Sequence, residues 1–135
     1  MRWLRRRRLR KVIRRSVSGS LAGPADDYAQ RKAAARQFVI ERLDQLNADY
    51  GFTYQRVTIR NTNTRWGSCS AKANLNFHYR LLDLPSDLVD YIVVHELCHL
   101  QHLNHSAQFW QLVARRIPDY QIARARLRQW RPSPD

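Results

Sequence analysis

An α+β fold is predicted by three features of the sequence. Long stretches carry apolar residues at helical intervals, two short runs rich in β-branched or alternating residues lie between them, and isolated Gly and Pro residues separate the two kinds of segment. At 135 residues the chain is sized for one domain, which would bury roughly two thirds of its unfolded surface. The reading is a basic N-terminal arm over residues 1–24 followed by a folded domain over 25–135.

The arm begins MRWLRRRRLRKVIRR, nine positive charges in fifteen residues, and no apolar run of signal-peptide or membrane-spanning length follows it. VSGSLAGPADD, residues 17 to 27, is small, polar and interrupted by Gly and Pro, the composition of a hinge. From Asp26 to about Asn47, Tyr28, Ala33, Ala34, Phe38, Ile40, Leu43 and Leu46 recur at the intervals of an amphipathic helix, with Asp26 and Asp27 placed to cap it. Gly51 ends that segment. RVTIR at 56–60 predicts a strand from Val57, Thr58 and Ile59, whereas NTNTRWGSCSAK is small and polar and reads as a loop. NLNFHYR at 74–80 predicts a second strand with Leu75, Phe77 and Tyr79 on one face and Asn74, Asn76, His78 and Arg80 on the other.

Ser86 is the expected N-cap of the next helix, with Asp87 in its first turn. Leu88, Tyr91, Ile92, Val93, Val94, Leu97 and Leu100 make this helix apolar on more than one face, so it should be largely buried. A third helix is expected from about Ser106 to Arg116, bearing Phe109, Trp110, Leu112 and Val113, and a final basic helix from about Asp119 to Trp130, after Pro118.

Composition limits the classes of function. Lys and Arg number 24 against 11 Asp and Glu, a net charge of +13 that attracts polyanions without specifying one. Cys69 and Cys98 are too few for a secreted disulfide framework, which points to a reducing, cytoplasmic location.

The chemistry is concentrated in HELCHLQHLNHS, residues 95–106, which hold four of the five histidines. On a helix His95 and His99 lie about 6 Å apart along the axis and on one face, where two imidazoles reach a common ion. Glu96 stands beside them, where a zinc hydrolase needs a carboxylate to take a proton from water without being a ligand. Three protein ligands and a fourth position for water are usual for catalytic zinc. No glutamate follows His99, so the third donor comes from His102, His105, Asp119 or Asp135. On a straight helix His102 is about 10 Å along the axis from His95, too far to share an ion with it. His105 has the spacing HExxHxxxxxH, in which the chain turns back after the helix. The metzincin form of that motif has glycine where this chain has His102, so the bend is expected at Asn104, which tolerates a left-handed backbone. Burying Glu96 among Ile, Val and Leu would be costly without a compensating cation.

RWGSCS at 65–70, NLNFHYR, DYIVVHELCHL at 90–100 and NHSAQFW at 104–110 together resemble the YgjP-like metallopeptidase family, related to the SprT-like and WLM zincins. The resemblance runs from about Ala33 to Trp130. It implies a minimal zincin-like fold, with a small β-sheet packed on an active-site helix and further C-terminal helices. It also implies zinc held by His95, His99 and His105, Glu96 as general base, and an extended peptide laid against the strand before the active-site helix. Most of the β-rich segment that usually precedes the first helix in the family is missing here. Trp66 is expected to anchor its loop, and Cys69 to be a small buried residue rather than a fourth ligand. Tyr91, Tyr120 and Arg80 are candidates to stabilise an oxyanion, and spacing selects none of them.

The function expected is zinc-dependent hydrolysis of a peptide or protein substrate. The alternative is a zinc-stabilised nucleic-acid-binding module without catalysis, supported by the charge, the arm and the basic last helix. The SprT-like and WLM resemblance adds a third form, a protease acting on nucleic-acid-associated proteins. Oligomeric state is not encoded in any motif.

Overall fold

The structure, a computed structural model, describes residues 24–62 and 64–130. The expected arm and hinge lie outside these residues up to Pro24, and Asp135 lies outside them as well. The chain divides into two compact units, Met1–Gln30 and Arg31–Asp135. Of the first, residues 24–30 are described and form the opening of helix α1 (Pro24–Asn47). The sheet, the remaining helices and the candidate site belong to the second.

Helix α1 starts two residues earlier than Asp26, because a proline's missing N–H costs nothing at the first helical position. Asp27 therefore sits in the first turn, not at the cap. The buried stripe is Ala35, Val39, Leu43 and Leu46, all fully enclosed and spaced as one helix face requires. Leu43 and Leu46 lie on the expected line, whereas its earlier part is shifted: Ala33 is exposed, and Phe38 and Ile40 are half-buried. Three successive alanines at 33–35 left the apolar face undetermined at its start. At the other end Gly51 takes φ +71°, a left-handed turn that suits glycine. The Gly51 N–H donates to the Asn47 carbonyl at 2.7 Å.

Three strands form the sheet: β1 (Arg56–Arg60), β2 (Gly67–Cys69) and β3 (Asn74–His78), in the order β1-β3-β2. β1 runs parallel to β3 with Arg56 opposite Asn74, and β2 antiparallel to it with Gly67 opposite Phe77. Strand β2 falls within the stretch expected to be a loop. Gly, Ser and Cys have little intrinsic strand preference, and pairing with β3 through a tight turn supplies what propensity does not. In that turn the Ala73 N–H donates to the Ser70 carbonyl and the Ser70 N–H to the Asn74 carbonyl, both at 3.0 Å, with Ala73 at φ 63°. Val57, Ile59, Leu75 and Phe77 are buried, while Arg56 and Arg60 are exposed.

Strand β3 stops at His78, where a 3-10 turn (Tyr79–Asp83) begins. His78, expected on the polar face, is 1% exposed. Its Nε2–H donates to the Thr62 carbonyl at 2.8 Å and its Nδ1 accepts from the Arg80 N–H at 3.1 Å, so both ring nitrogens are partnered inside the protein. Trp66 anchors its loop as expected, edge-on to His78 with ring centroids 5.5 Å apart and donating from Nε1 to the Trp130 carbonyl at 3.3 Å.

Helix α2 (Ser86–His99) is the buried centre of this unit and packs against β2, α3 (Ala107–Arg116) and α4 (Tyr120–Leu127). Its cap is Pro85, not Ser86, and no side chain caps it. Asp87 instead accepts from its neighbour's Leu88 N–H at 3.1 Å and pairs with Arg126. Leu88, Val93, Val94 and Leu97 are fully enclosed, each contributing on the order of 1.5–3 kcal/mol by leaving water. Arg42 of α1 meets Asp90 of α2 at 2.6 Å. Ser106 caps α3 as expected, accepting from the Phe109 N–H at 3.3 Å. No helix of the described residues is long and apolar enough to cross a membrane.

Candidate metal centre

Helical spacing on α2 brings His95 and His99 to one face, and their Nε2 atoms lie 3.2 Å apart. The helix ends at His99. N–H groups of Gln101 and His102 both donate to the Cys98 carbonyl, closing the last turn. The chain then bends through Leu103 and Asn104 and enters α3 through its Ser106 cap. His105, immediately before that cap, points back so that its Nε2 is 3.2 Å from His95 Nε2. The bend does not use a left-handed Asn104, since Ala73 is the single non-glycine residue at positive φ among the described residues. Open turn geometry over residues 100–104 is sufficient to reverse the chain.

Phe109 holds the three rings together. Fully enclosed on α3, it stacks on His99 at 4.4 Å between centroids and meets His95 at 5.0 Å and His105 at 5.1 Å. Trp110 stacks on His105 at 5.6 Å and on Tyr120 at 4.8 Å. Arg124 lies 4.6 Å above the Trp110 ring.

Outer partners aim the imidazoles. The His99 Nδ1–H donates to the His102 carbonyl at 2.9 Å. A carbonyl can only accept, so the Nε2 of His99 carries its lone pair toward the other two rings. Tyr91, one turn before His95, places its hydroxyl 3.2 Å from His95 Nδ1. Burial pushes that phenol up to about 12, so it stays neutral. Burial, then the neighbouring His99 and His105, then Arg124 hold His95 down at about 3, and burial also lowers His99. Two neutral imidazoles facing a third cannot all be satisfied by hydrogen bonds through one shared Nε2. A cation among three lone pairs resolves the conflict. Zinc–imidazole bonds of about 2.0–2.1 Å in a tetrahedron require nitrogens roughly 3.3 Å apart, close to the 3.2 Å separations of His99 and His105 from His95. The donor set therefore fits a divalent metal such as zinc.

Glu96 is 5% exposed. Burial raises its carboxyl to about 8 against the opposing charge of Arg65. It lies against β2: a Cβ built on Gly67 would stand 3.0 Å from both Glu96 Cγ and Oε2. Gly67 is thus required for the close approach, and RWGSCS meets HELCH at this point.

The structure brings together His95, His99 and His105, with their ligand atoms within 4.8 Å of one another. His102 and Asp119 do not join them; His102 contributes its carbonyl, and Asp119 stands at the start of α4. Cys69 is half-buried outside the cluster, its thiol pushed up to about 11 by burial and by Glu96. Of the oxyanion candidates, Tyr91 backs His95 and Tyr120 is stacked on Trp110, while Arg80 sits in the 3-10 turn. The strand expected to receive a peptide, β3, is central and paired on both edges, so among the described residues the free edge nearest Glu96 belongs to β2. Sequence reasoning missed Gly67, Phe109 and Arg124 as parts of the site. The WGSCS and NHSAQFW motifs marked the first two, and nothing local marks the third.

The family model for the YgjP-like metallopeptidase domain matches residues 5–130. No curated protein matches the chain significantly. Among solved structures, the metallopeptidase zymogen abylysin of Pyrococcus abyssi is similar in fold, with a TM-score of 0.62 at 24% identity over 68% of this chain and 94% of that one. The zymogen jannalysin of Methanocaldococcus jannaschii gives a TM-score of 0.49 at 20% identity over the same shares.

Proposed function

The chain belongs to the YgjP-like metallopeptidase family, and we propose that it is a zinc-dependent peptidase with His95, His99 and His105 as ligands and Glu96 as general base. The approach of His99 Nε2 and His105 Nε2 to 3.2 Å from His95 Nε2, with all three ligand atoms within 4.8 Å of one another, carries this reading. When bound, zinc supplies a Lewis acid for the scissile carbonyl and makes water acidic enough to ionise near neutral pH. Glu96 would accept the water's proton at its carboxylate and return it to the leaving amine. Burial against Gly67 raises its basicity, so that it holds the proton once taken, while Arg65 favours the ionised carboxylate from which the transfer starts. Tyr91 and the His102 carbonyl orient the imidazoles from behind. The free edge of β2 offers backbone groups to an extended peptide, in the manner of an added strand.

Glu96→Gln should retain one zinc per chain and lose peptide turnover by about a hundredfold or more. Full turnover in that variant would refute the mechanism.

Nucleic-acid binding has weaker support. The net charge of +13 favours it, yet several arginines of the last two helices have partners within the fold: Arg116 with Asp49, Arg124 with Trp110 and Arg126 with Asp87.

A further inference from the structure

Beside β2 and β3 a cavity of about 390 Å³ is lined by Arg60, Thr62, Thr64, Arg65, Ser68 and Asn76, with Gly67, Phe77 and His78 also contributing, and no carboxylate lines it among the described residues. Strand alternation places it. Gly67 faces Glu96, so Ser68 points to the opposite side, where its hydroxyl accepts from Asn76 Nδ2 at 3.2 Å. Asn76 Oδ1 in turn accepts from Arg60 Nε at 2.9 Å, which fixes that guanidinium and leaves its terminal N–H groups for a ligand. Arg65 comes from the loop entering β2 and lines the same cavity, and its charge also favours the ionised form of Glu96. Two guanidinium groups over a floor of hydroxyls and an amide form a receptor for a planar anion.

We propose that this cavity is a substrate subsite that binds a carboxylate of the peptide, with Arg60 and Arg65 as its specificity-determining residues. A peptide lying along the β2 edge alternates its side chains between the two sheet faces. When one residue points toward α2 and Glu96, its neighbour points toward Arg60 and Arg65. The carboxylate belongs either to an Asp or Glu side chain at that neighbouring position or to the C-terminus of a short peptide. The substrate assignment rests on the peptidase reading, but binding can be measured without turnover.

The test uses the full chain as zinc-loaded Glu96→Gln and three fluorescent hexapeptides of otherwise identical sequence. One has an internal Glu and an amidated C-terminus, the second an internal Gln and a free C-terminus, and the third an internal Gln and an amidated C-terminus. At least one charged peptide should bind about tenfold or more tightly than the neutral one, as a charge-assisted pair would provide; which one does so identifies the source of the carboxylate. Added Arg60→Gln or Arg65→Gln should reduce the ratio to within about twofold, and Arg60→Glu should abolish or invert it. General attraction to a highly basic chain would survive the loss of one arginine, so a ratio unchanged in both variants would overturn the subsite. Equal binding of all three peptides would do the same. Displacement of the acidic peptide by oligothymidylate, lost in the same variants, would assign the cavity to phosphate instead and also overturn it. Failure of the peptidase reading shows separately, as absence of cleavage by zinc-loaded wild type.

Discussion

His78 and His95 are both histidines placed among apolar residues, and they do opposite things with their nitrogens. His78 gives one ring nitrogen to the Thr62 carbonyl and the other to the Arg80 N–H. His95 uses Nδ1 on Tyr91 and turns Nε2 toward two further imidazoles. The first is a core histidine whose hydrogen bonds are complete within the chain; the second, under the proposed function, is completed by a shared cation. Burial does not separate a structural histidine from a ligand, whereas an account of each ring nitrogen does.

The sharpest way to break the comparison is to remove one ring from each side. His105→Ala should lower zinc affinity by more than about a hundredfold, beyond the 10–100-fold typical of an outer-shell partner, as read by competition with a chromogenic chelator. Metal content unchanged by that substitution would place the third donor elsewhere, at His102 or Asp119. Phe109→Ala removes the ring that touches all three imidazoles and should cost about 3–5 kcal/mol in denaturant unfolding, as well as loosening the metal. His78→Ala leaves a buried carbonyl and N–H without their partner and should cost about 2 kcal/mol, with zinc stoichiometry unaltered. Loss of zinc in that variant would erase the distinction between the two histidines.

The smallest effect expected is on pH dependence. Without metal, His95, His99 and His78 all have folded values below the ordinary 6.5. The unfolded chain therefore binds more protons, and these residues make stability fall as pH drops below about 6.5. Glu96 has the opposite sign. Its folded value of about 8 lies above the ordinary 4.5, so its contribution is lost as pH rises between those values. Metal-free Glu96→Gln should lack the second decline while keeping the first, as followed by thermal unfolding at a series of pH values.

The parts of the site legible in the sequence are those set by local geometry. His95 and His99 share a face because a helix puts them there, and the Ser106 cap follows from one hydroxyl at the right offset. Strand β2 was not legible, because its three residues form a strand only through hydrogen bonds to β3 across the Ser70–Ala73 turn. The same non-local pairing hid the free edge and the need for glycine at 67. Alternation predicts His78 on the polar face, but the strand ends at that residue and both ring nitrogens bond inward, to the Thr62 carbonyl and the Arg80 N–H. At the bend, a left-handed Asn104 was expected from residue type alone, and the turn after α2 proved able to reverse the chain without it.

X-ray absorption spectroscopy at the zinc edge of the loaded protein tests the three-histidine centre most directly. The account predicts a shell of nitrogen and oxygen at about 2.0–2.1 Å with multiple scattering from three imidazoles, falling to two in His105→Ala and remaining three in His78→Ala. A sulfur contribution at about 2.3 Å, or only two imidazoles in the unaltered chain, would contradict it.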